Sequence, residues 1–228
     1  MASLALPFQW VGSIRFSRTG EFLLATSTTH DHLSTYLKIW RTRNWAEVPA
    51  APVHYSTLVA ADLSPDDRVL ALARGDGTVQ LSEFPSGRPL ASFQKREGYL
   101  AVRFSPDGRL LALGRADGRV ELWNVADRRG FAPPLPGHFL DTWGVVFSSD
   151  GRRLLTGGRN PKDAVKLWDV ATQSELLVLS AEGQIFYSVG ISPDGSTLVA
   201  TSFGGVAHFW RAPSWEEIAA AEKGPVSP

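Results

Sequence analysis

The stretch from Leu110 to Asn124, LLALGRADGRVELWN, carries the pattern on which the fold of this chain depends. It begins with small and apolar residues, passes through an Asp-Gly pair at Asp117, and ends on a Leu-Trp pair at Trp123. Two short apolar runs joined by an Asp-Gly turn are typical of a β-hairpin. An isolated hairpin is at best marginally stable, so the fold depends on whether the chain repeats this unit.

The unit occurs five times in the 228 residues. A turn element precedes each hairpin, and the five copies read FSRTG at Phe16, LSPDD at Leu63, FSPDG at Phe104, FSSDG at Phe147 and ISPDG at Ile191. Their starts lie 47, 41, 43 and 44 residues apart. Each copy ends on an aromatic position, which we assign to Trp40, Phe84, Trp123, Trp168 and Trp210. A period of about 40–45 residues with this ending predicts a propeller blade.

One unit contains four short strands and hardly any helix. In the third copy, Pro106 suits the second position of a type I turn, and Gly108 suits the positive φ that follows. Stacking such sheets around an axis buries both of their faces. We therefore predict an all-β propeller of five four-stranded antiparallel blades. The predicted blades cover residues 8–50, 54–93, 97–136, 139–180 and 184–211.

The ends of the chain bear on whether the ring closes. The fifth unit lacks an outer strand, because RAPSWEEIAAAEKG follows Trp210 and has a capping box at Ser214 and Glu217. We expect a short helix and tail over 212–228. The segment 3–8, SLALPF, is expected to complete the last blade, so that 1–211 form one domain. A closed ring predicts a monomer. The alternatives are a fragment of a larger propeller or two chains that complete each other.

These repeats resemble the WD-repeat (WD40) family over about residues 8–211. The resemblance implies a hydrogen-bonded structural tetrad made of a His, a Ser or Thr, an Asp and the Trp. Only the fourth unit has all members in matching places, namely His138, Thr156, Asp163 and Trp168. The other units retain parts of the set, namely Asp76, Asp117, Trp123, Trp40 and Trp210. The tail is also similar to the ends of WD-repeat regions in large bacterial proteins, some of which carry a serine/threonine kinase domain.

Composition and motifs argue against several function classes. Lys+Arg and Asp+Glu balance at 23 each, which gives no net charge for binding nucleic acid or an acidic membrane. Cysteine is absent, and no P-loop, G-x-S-x-G, H-E-x-x-H or kinase motif is present. The only metal-like cluster, His30 to His32, is interpreted as a solvated loop. We therefore expect no cofactor and no metal. Without a secretory signal or membrane span in this sequence, the cytoplasm is the expected location.

The resemblance places partner binding on the face whose turns enter the innermost strands. Counting four residues back from the core Phe or Ile of each unit gives Gly12, Val59, Leu100, Trp143 and Tyr187. Exposed aromatic residues and Arg are favoured interface anchors. The candidate partner-binding residues are Trp143, Tyr187, Phe186, Trp10, Tyr99, Lys162 and Arg115. The predicted function is a non-catalytic scaffold that binds a protein or peptide.

Three alternatives remain at this point. The chain could be a regulatory or sensor part of a larger bacterial signalling protein, a propeller enzyme, or a nucleic-acid-binding protein. A catalytic channel needs converging acids, histidines or a metal, and the inner strands offer only Asp62 between Arg15 and Arg103. These three residues occupy equivalent positions in the first three units. We expect Asp62 to pair with one or both arginines and to order that side of the ring.

Overall fold

The computed structural model describes residues 10–28, 35–49, 54–55, 58–94, 97–131 and 133–212. They form five antiparallel sheets that follow one another along the chain, and these sheets are the blades of a five-bladed β-propeller. The predicted all-β fold is thereby confirmed. The closing strand predicted at 3–8 and the helix predicted beyond residue 212 lie outside the described residues.

Within each blade, consecutive strands pair in chain order. The first blade contains β1 (Trp10–Phe16), β2 (Phe22–Thr28), β3 (Thr35–Arg41) and β4 (His54–Tyr55). The second contains β5 (Leu58–Leu63), β6 (Val69–Arg74), β7 (Thr78–Glu83) and β8 (Pro89–Gln94). The third contains β9 (Tyr99–Phe104), β10 (Leu110–Arg115), β11 (Val120–Asn124) and β12 (Arg129–Gly130). The fourth contains β13 (Thr142–Phe147), β14 (Arg153–Gly158), β15 (Val165–Asp169) and β16 (Glu175–Leu179). The fifth contains β17 (Phe186–Ile191), β18 (Thr197–Ser202) and β19 (Ala207–Arg211).

Helix is almost absent from these residues. The described part of the chain contains one 3-10 turn, at Pro161–Asp163. None of the described segments forms a helix with the length and apolar character that crossing a bilayer requires.

The turn between the first two strands of each blade is built by its own side chains. In the third blade the Gly108 amide donates to the Ser105 carbonyl at 2.9 Å, and Gly108 has φ +72°. Pro106 therefore occupies the second turn position, as predicted. The Ser105 hydroxyl donates to Asp107 at 2.6 Å and accepts from the Leu110 amide at 2.9 Å. The Ser-x-Asp pair thus determines where the second strand begins.

The hydrophobic core lies between neighbouring blades. In the joint between the third and fourth blades, Val145 and Phe147 of β13 form one buried cluster with Ala112, Val120 and Leu122. The first strand of a blade thus packs against the preceding blade. The same arrangement joins β5 to the first blade, β9 to the second and β17 to the fourth. Four consecutive joints are packed in this way.

The joint between the fifth and the first blade differs from the other four. Ile14 and Phe16 of β1 occupy the positions of Val102 and Phe104 in β9, as the strand registers show. Val102 and Phe104 are 2% and 7% exposed, whereas Ile14 and Phe16 are each 61% exposed. On the other side of this joint, Phe209 of β19 is 70% exposed. Among the described strands, the first and fifth blades touch far less than consecutive blades do.

An ionic group links the innermost strands of the first three blades. Arg15 Nη1 lies 3.4 Å and Arg103 Nη1 lies 3.6 Å from Oδ1 of Asp62. The Phe104 amide donates to the other oxygen of this carboxylate at 2.9 Å. Burial raises the pKa of Asp62 to about 6, and the positive charge of Arg15 opposes this rise. The structure therefore brings together the three residues expected to pair.

Replacing Asp62 with Ala should destabilise the protein by about 2 kcal/mol, because two partly buried guanidinium groups lose their shared carboxylate. The matched control is Asp127→Ala in an exposed turn, where we expect little change. Urea denaturation of both variants measures the two costs. Equal loss of stability in the two variants would refute a structural role for the Asp62 group.

The same carboxyl should make stability depend on pH. Its folded pKa of about 6 exceeds the ordinary value of 3.8, so the folded state binds the proton more tightly than the unfolded state. The part of its contribution that comes from tighter proton binding is then fully present below about pH 4 and is lost as the pH rises through 6. We expect the free energy of unfolding of the wild type, measured relative to Asp62→Asn, to fall between these two values. A difference that is constant over this range would contradict the raised pKa.

Candidate partner-binding face

The tetrad implied for the fourth blade has its members in contact. The Nε2 atom of His138 lies 2.8 Å from the Thr156 hydroxyl oxygen, and the Trp168 indole N–H donates to the same oxygen at 3.0 Å. The Nδ1 atom of His138 lies 2.6 Å from the backbone carbonyl of Asp163. His138 lies in the turn that leads into β13, which we call the entry turn of this blade. These contacts tie the entry turn to the second and third strands of the blade.

The carboxylate of Asp163 holds the entry turn from the other side. One of its oxygens accepts the Phe139 amide at 2.8 Å. Burial opposes ionisation of this carboxyl, but the His138 ring and the Phe139 amide keep its pKa below the ordinary value. Gly158 leaves room for the ring, because a Cβ there would lie 2.4 Å from Nδ1 of His138. The backbone beside Phe139 is therefore fixed by the tetrad.

The third blade holds its tryptophan, Trp123, with a different set of residues. Strand register places Leu113 where the fourth blade has Thr156, and places Arg115 where it has Gly158. Glu121 replaces the missing hydroxyl. Its carboxylate accepts the Trp123 indole N–H at 3.1 Å, the Tyr99 hydroxyl at 3.0 Å and an Arg115 N–H at 2.6 Å. The guanidinium also donates to Asp117 at 2.7 Å, so Asp117 reaches the tryptophan only through Arg115 and Glu121.

Two of the residues predicted to bind a partner belong to this buried network. Tyr99 is fully buried, and Arg115 is 6% exposed. Burial and the adjacent Glu121 carboxylate raise the pKa of the Tyr99 hydroxyl. Both predictions are wrong, because these side chains complete the interior of the blade and do not face the solvent. The sequence carried one signal for this role, the acidic Glu121 two residues before Trp123.

The remaining blades depart from the tetrad in different ways. In the second blade Ser82, and not Phe84, pairs with Leu70 and so occupies the tryptophan position. The assignment of Phe84 is therefore wrong. Its ring lies in the turn after β7 and packs edge-on against Phe22 of the first blade, with centroids 4.9 Å apart. The Asp76 carboxylate caps its own turn, where it accepts the Thr78 amide at 2.9 Å.

The tryptophans of the two end blades also differ. Trp40 of the first blade is 5% exposed. Trp210 of the fifth blade is half-buried and stacks on His208, with ring centroids 5.9 Å apart. His208 itself reaches the Glu182 carbonyl at 2.8 Å. The two glycines at 204 and 205 leave the fifth blade without the tetrad aspartate.

Every innermost strand contains a β-bulge near its start. One residue of the strand has no partner on the second strand, while the residues on both sides of it pair in order. The unpaired residues are Gly12, Val59, Leu100, Trp143 and Tyr187. A bulge redirects a side chain and is frequent beside functional sites. They are the same five positions that were identified in the sequence by counting four residues back from the core Phe or Ile. We call these five bulged positions the bulge ring.

The bulge ring carries the two aromatic candidates from the fourth and fifth blades. Trp143 is half-buried, and its indole nitrogen has no hydrogen-bond partner among the described residues. Tyr187 is 44% exposed. Phe186, beside it, is fully buried in the joint with the fourth blade, so the prediction that it binds a partner is wrong. The side chain of Trp10 lies outside the described residues.

The sequence analysis missed the most exposed aromatic residue of the fourth blade, Phe139. Phe139 is 80% exposed, and Leu140 beside it is also exposed. Phe139 borders an open depression, which is lined by Gly137, His138, Phe139, Asn160, Lys162, Asp163 and Lys166. Lys162 is exposed, as expected, on the 3-10 turn that Asn160 caps. The sequence signal that could have identified this exposed site is the apolar pair Phe139 and Leu140 directly after His138.

Two stretches of the chain, residues 87–124 and 133–169, match the family described as "WD domain, G-beta repeat". The third and fourth blades therefore match WD repeats. These stretches include the two tryptophan networks built on Glu121 and Thr156. WD40 propellers are typical protein-interaction scaffolds and generally lack catalysis. Among curated proteins, none matches this chain.

Metal chemistry finds no support in the described part of the chain, which contains no group of three His, Asp or Glu side chains able to hold an ion. The cluster from His30 to His32 lies outside it. The described face carries exposed apolar side chains at Phe139 and Leu140 and an exposed cationic side chain at Lys162.

The Glu121 network gives a stability prediction. Glu121→Ala removes the acceptor of the Trp123 and Tyr99 donors and one of the carboxylates paired with the buried Arg115 guanidinium, which keeps Asp117 and Glu97. We therefore expect a loss of about 2–3 kcal/mol. The control, Glu83→Ala, removes a carboxylate whose ion pair with Arg88 is exposed, and we expect little change. Thermal and urea unfolding would measure both. A small cost at Glu121 would show that the network is not structural.

Proposed function

We propose that this propeller is a non-catalytic scaffold that binds a protein or peptide on the face of its strand-entry turns. The observation that supports this most strongly is the bulge ring, because the same departure from regular pairing recurs in all five innermost strands. Where the ring reaches the fourth and fifth blades, its residues become aromatic and accessible. The binding surface is centred on Trp143, Tyr187 and Phe139.

The backbone of this surface is held before any partner arrives. Phe139 follows His138, whose ring is anchored by Thr156 and by the Asp163 carbonyl. Trp143 lies on β13, which packs against both the third and the fifth blade. A rigid site loses less conformational entropy on binding. Large aromatic side chains presented by such a site are the residue types that dominate binding energy.

The charges around these aromatic residues suggest the chemistry of the partner. Lys162 is exposed, and Asp163 beside it is held by His138 and the Phe139 amide. The Arg159 guanidinium lies 3.3 Å from the Asp141 carboxylate and so is already paired. Lys162 is the accessible cation next to Phe139. The surface therefore suits a peptide with an apolar residue beside an acidic one.

The last blade requires a separate proposal. Among the described residues, β19 is the outer edge of a three-stranded sheet. We infer that the segment 3–8, SLALPF, adds the fourth strand to this edge. Its length and apolar character match the outer strand β16 of the fourth blade, ELLVL. An added strand would remove an unpaired edge, which sheet proteins generally avoid.

Trp143→Ala, Tyr187→Ala and Phe139→Ala should each weaken partner capture at least about tenfold, because each removes an aromatic anchor. The matched control is Phe131→Ala, since Phe131 is as exposed as Tyr187 but follows an outer strand. Affinity capture with quantitative mass spectrometry compares the four variants with the wild type. If the control loses the same partners as the three variants, or if the three variants retain them, the surface is misplaced.

A further inference from the structure

An excess of positive charge lies at the centre of the propeller. At the position directly before the core residue, the innermost strands of the five blades carry Arg15, Asp62, Arg103, Val146 and Gly190. The head groups of the first three meet at the Asp62 carboxylate although they come from three different blades. They therefore lie in the central channel, where the innermost strands converge. Two cations and one anion leave this level of the channel with one positive charge in excess.

The two channel arginines are only weakly paired. Arg15 Nη1 lies 3.4 Å and Arg103 Nη1 lies 3.6 Å from the same carboxylate oxygen, Oδ1 of Asp62. Charge-assisted hydrogen bonds between a guanidinium and a carboxylate are usually about 2.7–2.9 Å long. The Arg103 contact is too long for a hydrogen bond, and this guanidinium has no other acceptor among the described residues. Most N–H donors of the two groups therefore face the channel without an acceptor.

A buried arginine elsewhere in the same chain is fully compensated. The Arg115 guanidinium lies 2.6, 2.7 and 2.9 Å from three carboxylates. These carboxylates belong to Glu121, Asp117 and Glu97. In the channel, by contrast, two guanidinium groups share one carboxylate. Burial lowers the pKa of Arg15, and the charge of Asp62 offsets this effect only in part, so the channel lacks negative charge.

The opposite side of the channel leaves room at the same level. Val146 packs into the joint between the fourth and fifth blades, and Gly190 has no side chain. A main-chain donor is also present there, because strand register gives Phe147 the place that Phe104 has in the third blade. The Phe104 amide donates across the channel to Asp62 at 2.9 Å. The Phe147 amide lies on the same channel edge of its own blade.

We propose that the central channel binds a small oxyanion, a phosphate or a carboxylate, between Arg15 and Arg103. The planar guanidinium group matches the paired oxygens of such an ion. The Phe147 amide supplies a further donor, as the Phe104 amide does for Asp62. The bound ion provides the negative charge that the two arginines lack.

Such an oxyanion has two sources, a free ion or an acidic side chain of the partner proposed above. The arginines follow the bulge ring by three residues, which places them about 10 Å along the strand from it. An Asp or Glu side chain of a peptide on the strand-entry face is too short to cover that distance. The ligand is therefore a free ion, and this site does not depend on the partner-binding surface.

Isothermal titration calorimetry with inorganic phosphate and with acetate, at constant ionic strength set by chloride, tests the site directly. The wild type should bind at least one of the two ions saturably with one ion per chain. Arg103→Gln should weaken this binding at least about tenfold, because a charge-assisted contact is lost. The control, Arg109→Gln, changes an exposed arginine in an outer turn and should bind as the wild type does. A wild type without saturable binding, or an equal loss in the control, would overturn the proposal.

Asp62→Asn should change the affinity in the opposite direction. The Asn side chain still offers an oxygen to the Phe104 amide, but it no longer competes with the ion for the two arginines. We expect phosphate to bind about tenfold more tightly, because a nearby like charge is removed. A purely structural role of the Asp62 group predicts weaker binding in Asp62→Asn as well as in Arg103→Gln, and that result would refute the site.

Two further measurements locate the ion and identify its source. In nuclear magnetic resonance spectra of the wild type, phosphate should shift the Phe104 and Phe147 amide signals, which gives an answer even if Arg103→Gln fails to fold. Unshifted signals would contradict the site. Trp143→Ala should retain phosphate affinity, and Arg103→Gln should retain the captured partners. If Arg103→Gln loses those partners, or if Trp143→Ala loses phosphate binding, the oxyanion site belongs to the partner-binding surface and the proposal of a free ion fails.

Discussion

Every blade of this propeller needs a neighbour on each face, and this requirement governs the rest of the structure. The first strand of a blade places apolar residues such as Val145 and Phe147 against the sheet before it. A four-stranded sheet of this size cannot bury such residues by itself. Where the neighbour is present, these side chains are buried. Where it is not packed, as at Ile14 and Phe16, the same positions are exposed.

A second constraint operates inside the blades, because a buried indole N–H needs an acceptor. The fourth blade supplies the Thr156 hydroxyl, and His138 fills the space that Gly158 leaves. The third blade supplies the Glu121 carboxylate and balances its charge with Arg115. Both solutions tie the third strand to the turns on the strand-entry face. The face proposed to bind a partner is therefore supported by the groups that stabilise the third and fourth blades.

Much of the fold could be predicted, because its determinants act over a few residues. The Ser-x-Asp turn at Ser105, the positive φ of Gly108 and the alternation of β9 are local properties. Counting back from the core residues also reached the five bulge positions, since strand length is nearly constant between blades. The candidate site was harder to predict. Tyr99 and Phe186 each stand at the start of an innermost strand, where the sequence pattern does not distinguish an exposed aromatic residue from a buried one. Both side chains are buried.

The sequence by itself determined the repeat, the turns, the number of blades and the residues available at the strand-entry face, because periodicity and turn chemistry depend on near neighbours in the chain. Only the tertiary structure decided which of those residues are accessible. Arg115 is buried because Glu121 and Asp117 surround it, and Phe139 is exposed on a turn whose amide donates to the Asp163 carboxylate. Whether an apolar position such as Phe16 is covered is also decided only in three dimensions, because it depends on the blade packed against it.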